Sequence, residues 1–552
     1  VQLRRPAAGA ALERKRALLA RAAGHRLPAT RWRALLALHD ALLSVRAFPE
    51  AHDTWALAGR ALARVEAAVR RLPPRERARG ADSGVAGTVT RHAFEHGIAR
   101  WLVRRHAREV DIDWAALDDT APVDALVRPE LVRAEEDAFD GGLLSTREWL
   151  ALARAGATGE SALAWLLHAA SATPGAAPVV ARLYDSAPLP LTWHLARSGG
   201  ATTRNALPVA RPVVRSGFRR PDADPPRAVA EPLPGIRLLG GRAAQRVIDV
   251  ARAALAARCR EVFAITHANP AEVWWAPLGA GAHLALIGAL PADRLSLESN
   301  YGYLLTSNGV PVGYGGVTPL HHQANTGINI FEPFRGTEAA FLWTAMLRAF
   351  ATLFGVSRFV VNAIQFGEDN EEAIASGAYW FYWRLGFRPD DAARRRVAQR
   401  EARRLARLGA APTPPARLRH LATGDLVLTL PGRDEAPAFD ERWLTTASRL
   451  VTTALAGLDP HAHHRAARDV ARRVACALEA RPSRWPAAEQ AAFRRLAPVV
   501  ALLAPGRWPR ADRAALVTLM RAKGRPQERD FVRLAQAHPR FFAALAARCR
   551  RG

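Results

Sequence analysis

The chain has 552 residues, 49% hydrophobic and 23% charged, with a formal net charge of +27. That length exceeds what one core serves and the apolar content argues against wholesale disorder, so roughly two to four folded domains are expected. Three widely separated cysteines, Cys259, Cys476 and Cys549, argue against a disulfide framework or a cysteine zinc site, and arginines interrupt every apolar run before it could span a membrane. A soluble, cytoplasmic protein is expected.

In chain order, residues 1–204 read as an α-helical region, with Leu35, Leu38, Leu42 and Val45 at helical spacing. Residues 205–235 hold Pro208, Pro212, Pro221, Pro225, Pro226, Pro232 and Pro234, and read as a linker without regular structure. Residues 236–432 alternate strand and helix patterns. Ile236 to Leu239 is a strand candidate, Ala243 to Arg260 an amphipathic helix, and Asp425 to Leu430 a closing strand. Beyond Pro431-Gly432, residues 433–552 return to Ala/Arg/Leu helical patterning.

The charge is unevenly spread. Residues 236–390 carry 12 basic and 12 acidic side chains, while 391–552 carry 32 and 14, net +18; of the total +27 this leaves +9 for residues 1–235. A neutral centre beside a strongly basic last third implies two separate roles, the second favouring anionic partners.

Three features of the central region fall in one order. A hairpin comes first, Leu297 to Leu305 and Val310 to Val317 around a Ser307-Asn308-Gly309 turn. A strand, Ile328 to Phe331, then runs through Glu332-Pro333-Phe334 into the helix start Arg335-Gly336-Thr337-Glu338-Ala339-Ala340. Last is an aromatic helix, Ala378 to Trp383, followed by Arg384-Leu385-Gly386-Phe387. In this order they resemble the core of the GNAT N-acetyltransferase superfamily, over about a third of the chain. The fold class expected is therefore α/β, a central GNAT-like mixed sheet with flanking helices, between two mostly α-helical regions.

The resemblance implies a site. A helix N-terminus offers free N–H groups and a positive dipole end to the diphosphate of coenzyme A. Arg335, Gly336 and Ala340 match the superfamily's phosphate loop, whereas Glu338 stands where its key glycine belongs. Acyl-coenzyme A would lie along Ile330, Phe331, Arg335, Gly336, Thr337, Glu338, Ala339 and Ala340, with backbone N–H groups of residues 328–331 facing the acyl carbonyl. Tyr382, four residues after Ala378, matches the tyrosine that protonates the departing thiolate; the family's usual asparagine is Ala375 here. Glu332 and Glu298 are the two candidate bases for the amine. The function implied is acyl transfer from coenzyme A to an amine by direct attack. The alternatives are an interaction protein whose GNAT-like fold has lost the cofactor, favoured by Glu338, and a transferase taking its donor from charged tRNA, favoured by the basic last third.

Other signals are weaker. His92-Ala93-Phe94-Glu95-His96 fits an inverted zinc-peptidase pattern if both histidines share one helix face. His461, His463 and His464 lack accompanying ligands and read as a helix start behind Asp459-Pro460, so no metal site is expected. Arg394, Arg395, Arg396, Arg400, Arg403, Arg404 and Arg407 form a basic run that reads as a solvated helix face, with nucleic-acid contact through the basic last third as the alternative, since its helical spacing could follow a phosphate backbone.

Overall fold

The structure is a computed structural model describing residues 2–551 except 158, 173–176, 197, 408, 410 and 433–441. It divides into two compact units. The first comprises Val1–Phe218, Arg246–Val262 and Ser307–Pro311; the second comprises Arg219–Gln245, Phe263–Thr306 and Val312–Gly552.

The first unit opens with α1 (Gly9–Gly24), α2 (Trp32–Ala47) and α3 (His52–Arg70). It also contains a small antiparallel sheet, β1 (Val89–Ala93), β2 (Val110–Ile112) and β3 (Pro190–His194), in the order β1-β3-β2. Helices α4 (His96–His106), α5 (Ala162–Ala172) and most of α6 (Gly241–Ala256) also belong to it, with several shorter helices between residues 74 and 186. Trp193, fully buried on the central strand, anchors a core shared with Leu102, Leu163, Leu166 and Ala253. The region is largely helical, as expected, and this small sheet is an addition to that reading. Its strands are three to five residues long, too short for alternation to register.

The proline-rich stretch is also more ordered than its composition implies. Pro225–Ala230 is a short helix, because Pro225 and Pro226 occupy the first turn, where no N–H is needed, and the Asp224 carboxylate caps the Arg227 N–H at 3.3 Å.

The second unit is built on a ten-stranded mixed sheet. Its strands are β4 (Arg237–Leu239), β5 (Ala268–Gly279), β6 (Ala282–Ala289), β7 (Tyr301–Ser307), β8 (Val310–Leu320), β9 (Gln323–Thr326), β10 (Asn329–Ile330), β11 (Arg358–Val361), β12 (Arg388–Pro389) and β13 (Leu426–Thr429). The order is β12-β13-β11-β9-β8-β7-β6-β5-β4, with β10 also on β8. Asn308 and Gly309 close the β7–β8 hairpin with φ of +46° and +77°, as an Asn-Gly turn should. β9 and β11 are parallel neighbours, which demands a crossover, and α7 (Ala339–Phe354) supplies it. That helix buries Leu342, Trp343, Met346, Phe350 and Leu353 and ends on Gly355 in the left-handed region, φ +70°. Helices α8 (Ala378–Arg384) and α9 (Ala392–Leu405) separate β11 from β13.

The helices after residue 441 share this unit: α10 (Arg442–Ala456), α11 (His463–Ala477), α12 (Ala487–Ala501), α13 (Arg510–Ala522), α14 (Arg529–Ala537) and α15 (Phe541–Arg551). Phe493, Leu496, Leu516 and Met520 of these helices form one core with Leu320 of β8 and Leu297 from the loop before β7. Buried charges join the same partners. Glu272 on β5 accepts from Arg294 (3.1 Å), the Tyr301 hydroxyl (2.7 Å) and the Arg529 backbone N–H (3.0 Å). Lys523 Nζ pairs with Glu528 at 2.5 Å and donates to the Glu298 carbonyl at 2.5 Å. Burial pushes the Glu272 carboxyl up to about 7, against the pull of Arg294. Among the described residues no helix is long and apolar enough to cross a membrane.

Candidate functional site

The site forms where the parallel pair parts. β9 runs beside β11 from Gln323 to Asn325, and the chain then continues as β10 against β8 alone. β9 and β10 hold one register on β8, Thr326 opposite Val317 and Asn329 opposite Tyr314, so Gly327-Ile328 is a break within one strand rather than a turn. Glycines on the facing strand permit the close approach. A Cβ on Gly315 would collide with the Tyr303 hydroxyl, and one on Gly327 would lie 2.6 Å from the Gln365 side chain.

Two phenols flank the break. Tyr303 donates its hydroxyl to the Gly327 carbonyl, and the Ile328 backbone lies against the Tyr382 oxygen, pulling that phenol's pKa down against burial. Burial raises both phenols well above their ordinary range, so both stay protonated at neutral pH. Tyr382 is held by Trp343, whose ring centroid is 5.4 Å away, and by Phe366 and Phe387 at 6.0 and 5.9 Å.

Backbone donors on this strand alternate. Phe331 donates its N–H to Val312 at 3.0 Å, so Asn329 faces β8 too, while Ile328 and Ile330 face the parted side. Ile328 is engaged by Tyr382. Of the four N–H groups expected to face an acyl carbonyl, Ile330 is therefore the one placed to do so, and Phe331 is not.

Beyond β10 the chain turns through Glu332–Phe334 and Gly336, φ +77°, into α7. The first helical bond is Leu342 N–H to the Glu338 carbonyl, 2.9 Å, so the N–H groups of Ala339, Ala340 and Phe341 have no helical acceptor. Thr337 Oγ1 donates to the Phe334 carbonyl at 2.5 Å. Arg335 is exposed and pairs with Glu372 at 2.7 Å. Glu338, at the N-cap, is fully buried; its Oε1 accepts from the Arg219 backbone N–H at 3.0 Å.

The two candidate bases are far apart. Glu332 is exposed, four residues past Ile328, or about 13 Å along an extended chain. Glu298 lies outside β7, which begins at Tyr301, and beside Ser299, whose N–H bonds the Pro319 carbonyl. Pro319 is four residues from Gly315, which faces the break, so Glu298 lies about 13 Å away toward the other end of β8.

Sequence reasoning missed Tyr303 and Gln365. The signal for Tyr303 was the Gly313-Tyr314-Gly315-Gly316 run inside a strand, since glycine there marks a close approach to its neighbour. The His92–His96 pattern is corrected: His92 lies in β1 and His96 opens α4, so the two do not share a helix face. No group of three potential ligands among the described residues could hold a metal ion. Comparison of the chain with protein-family models, curated proteins and solved structures returns no match.

Proposed function

We propose that this chain is a GNAT-like acyltransferase, acting in the cytoplasm, that moves an acetyl or other acyl group from coenzyme A to an amine. The observation that carries the reading is the strand break at Gly327-Ile328, with the Tyr382 hydroxyl on one side and the Ile330 N–H facing the same opening. It lies at the C-terminal ends of parallel strands, the usual place for a ligand in such a sheet, and the chain leads from it directly to the open N-terminus of α7.

In this reading the thioester carbonyl lies against the Ile330 N–H, which stabilises the oxyanion as the amine attacks. Collapse of the intermediate breaks the carbon–sulfur bond, and the thiolate takes the Tyr382 proton. The amine proton passes to Glu332 or Glu298, and since both lie about 13 Å from the break, relaying water is needed. Arg335 and the N–H groups of the first turn of α7 hold the diphosphate, while the buried Glu338 carboxylate offsets part of the dipole there.

A donor from charged tRNA is the second reading, favoured by α9. Arg396, Arg400, Arg403 and Arg407 recur at intervals of four, three and four, are exposed, and pair with no described carboxylate. Calorimetric titration with acetyl-coenzyme A tests the first reading, which expects saturable binding at one site. No heat of binding at millimolar cofactor overturns it and leaves the tRNA-dependent and non-catalytic alternatives.

A further inference from the structure

The C-terminal helices enclose a groove of about 520 Å³ between α10, α11 and α12, within the usual size for a small-molecule site. Leu455 and Leu458 from the α10 side, Val474 from α11 and Leu502 after α12 line it. The remaining wall is alanine, valine, proline and glycine, with no aromatic side chain, so a nucleobase or other planar ring would find no stacking partner. Among the described residues its two charged lining residues are Arg473 and Arg507, both exposed and paired with no described carboxylate, and no acidic one lines it.

Arg473 occupies an apolar stripe of α11, Val470, Arg473, Val474 and Ala477, where a hydrophobic residue would be expected on a core-facing helix. Such an arginine lays its stem along the wall and holds its guanidinium at the mouth. Ala504, which also lines the groove, sits in the left-handed region at φ +49°, a strained backbone of the kind found at ligand clamps. Leu458 at the rim is 46% exposed, so apolar surface faces water along the opening.

We infer that this groove binds a single-chain amphiphile with an anionic head, a long-chain carboxylate whose aliphatic tail lies along the groove and whose head meets Arg473 and Arg507. The aliphatic walls select the tail, and the two uncompensated guanidiniums select the charge. The inference is independent of the acyltransferase reading, because none of these residues belongs to the strand break or to α7.

Calorimetry on the full chain with octanoate, decanoate and dodecanoate, below their micelle concentrations, tests it. One site is expected, with affinity rising about three- to fourfold per added methylene. Dodecanol should bind at least tenfold more weakly than dodecanoate, and dodecyltrimethylammonium more weakly still. Arg473→Ala with Arg507→Ala should erase the preference for carboxylate over alcohol. Ala501→Trp, filling the groove from an exposed position, should abolish binding of both while leaving the melting temperature unchanged. Absence of saturable binding, a flat chain-length series, or equal affinity for the cationic amphiphile overturns the inference. So does a concentration-dependent dimer broken by Leu458→Glu with no dodecanoate binding, which would make the groove a contact between copies.

Discussion

Burying a carboxylate costs several kcal/mol unless hydrogen bonds replace water, and the Arg219 N–H supplies one such bond to Glu338. Glu338→Gln keeps an acceptor and the side chain's shape but removes a negative charge from the first turn of α7. Affinity for coenzyme A should then rise severalfold, up to about tenfold, because the dipole end is no longer offset. Titration of both proteins measures this, and an unchanged or weaker affinity would place the diphosphate elsewhere. At Tyr382 the hydroxyl has two duties. Tyr382→Phe should lower turnover by about a hundredfold or more with little change in cofactor affinity. It should also lower stability by about 1 kcal/mol, because the hydroxyl's contact with the Ile328 backbone is lost. Unchanged turnover with a verified acyl acceptor would remove Tyr382 from the mechanism. The spacing to Ala378 singled out Tyr382 as a candidate; that Ile328, some fifty residues away, lies beside it has no local signal.

Among the elements, α9 turns a run of arginines into two populations. Arg394 pairs with Asp391 and Arg404 with Glu401, and Arg395 donates to the Pro389 carbonyl. The remaining Arg396, Arg400 and Arg403 share one face of the helix over about 10 Å, and exposed Arg407 follows just past its end. Replacing those four with glutamine should reduce the salt dependence of RNA binding by about three units of log–log slope, since each phosphate contact contributes about 0.7 to 0.9. Arg394→Gln should change it little, and equal effects from both would mean the stripe is no interface. Glu401 carries the element's pH dependence. Hydrogen bonds from Arg404 first, then Arg417 and Thr413, hold its carboxyl down at about 2, below the ordinary 4.5. Its contribution is therefore complete above about pH 4.5 and is lost as pH falls toward 2. Urea midpoints measured across that window should fall with pH in the wild type, and less steeply in Glu401→Gln.

For the whole molecule, buried charges tie the helices beyond Pro431-Gly432 to the sheet. Arg294, with no side-chain exposure, donates to Glu272 and to the carbonyls of Lys523, Arg525 and Pro526. Truncation at residue 432 would take the three carbonyl acceptors from Arg294 and the Arg529 N–H from Glu272, and would uncover Leu297 and Leu320. The truncated chain should aggregate or unfold rather than retain a folded core, which circular dichroism and size-exclusion chromatography would detect. Within the full chain, Arg294→Ala should cost about 3 to 5 kcal/mol, because it leaves the Glu272 carboxylate buried without its cation. A denaturant series that finds less than about 1 kcal/mol would mean that water reaches the cluster.

Local rules were enough for the Asn308-Gly309 turn, the crossover helix α7 with its Gly355 stop and the closing strand near Leu426. Each depends on dihedral preference or hydrophobic period over a few neighbouring residues. Tertiary structure alone decided which strand N–H groups remain open at the break, where the Glu338 carboxylate turns, and which arginines of α9 lack a partner. It also decided that Glu272, Arg294, Lys523 and Glu528 meet in one buried cluster. These are pairings across tens to hundreds of residues, made by hydrogen bonds and charges that have no sequence period, so no local pattern encodes them.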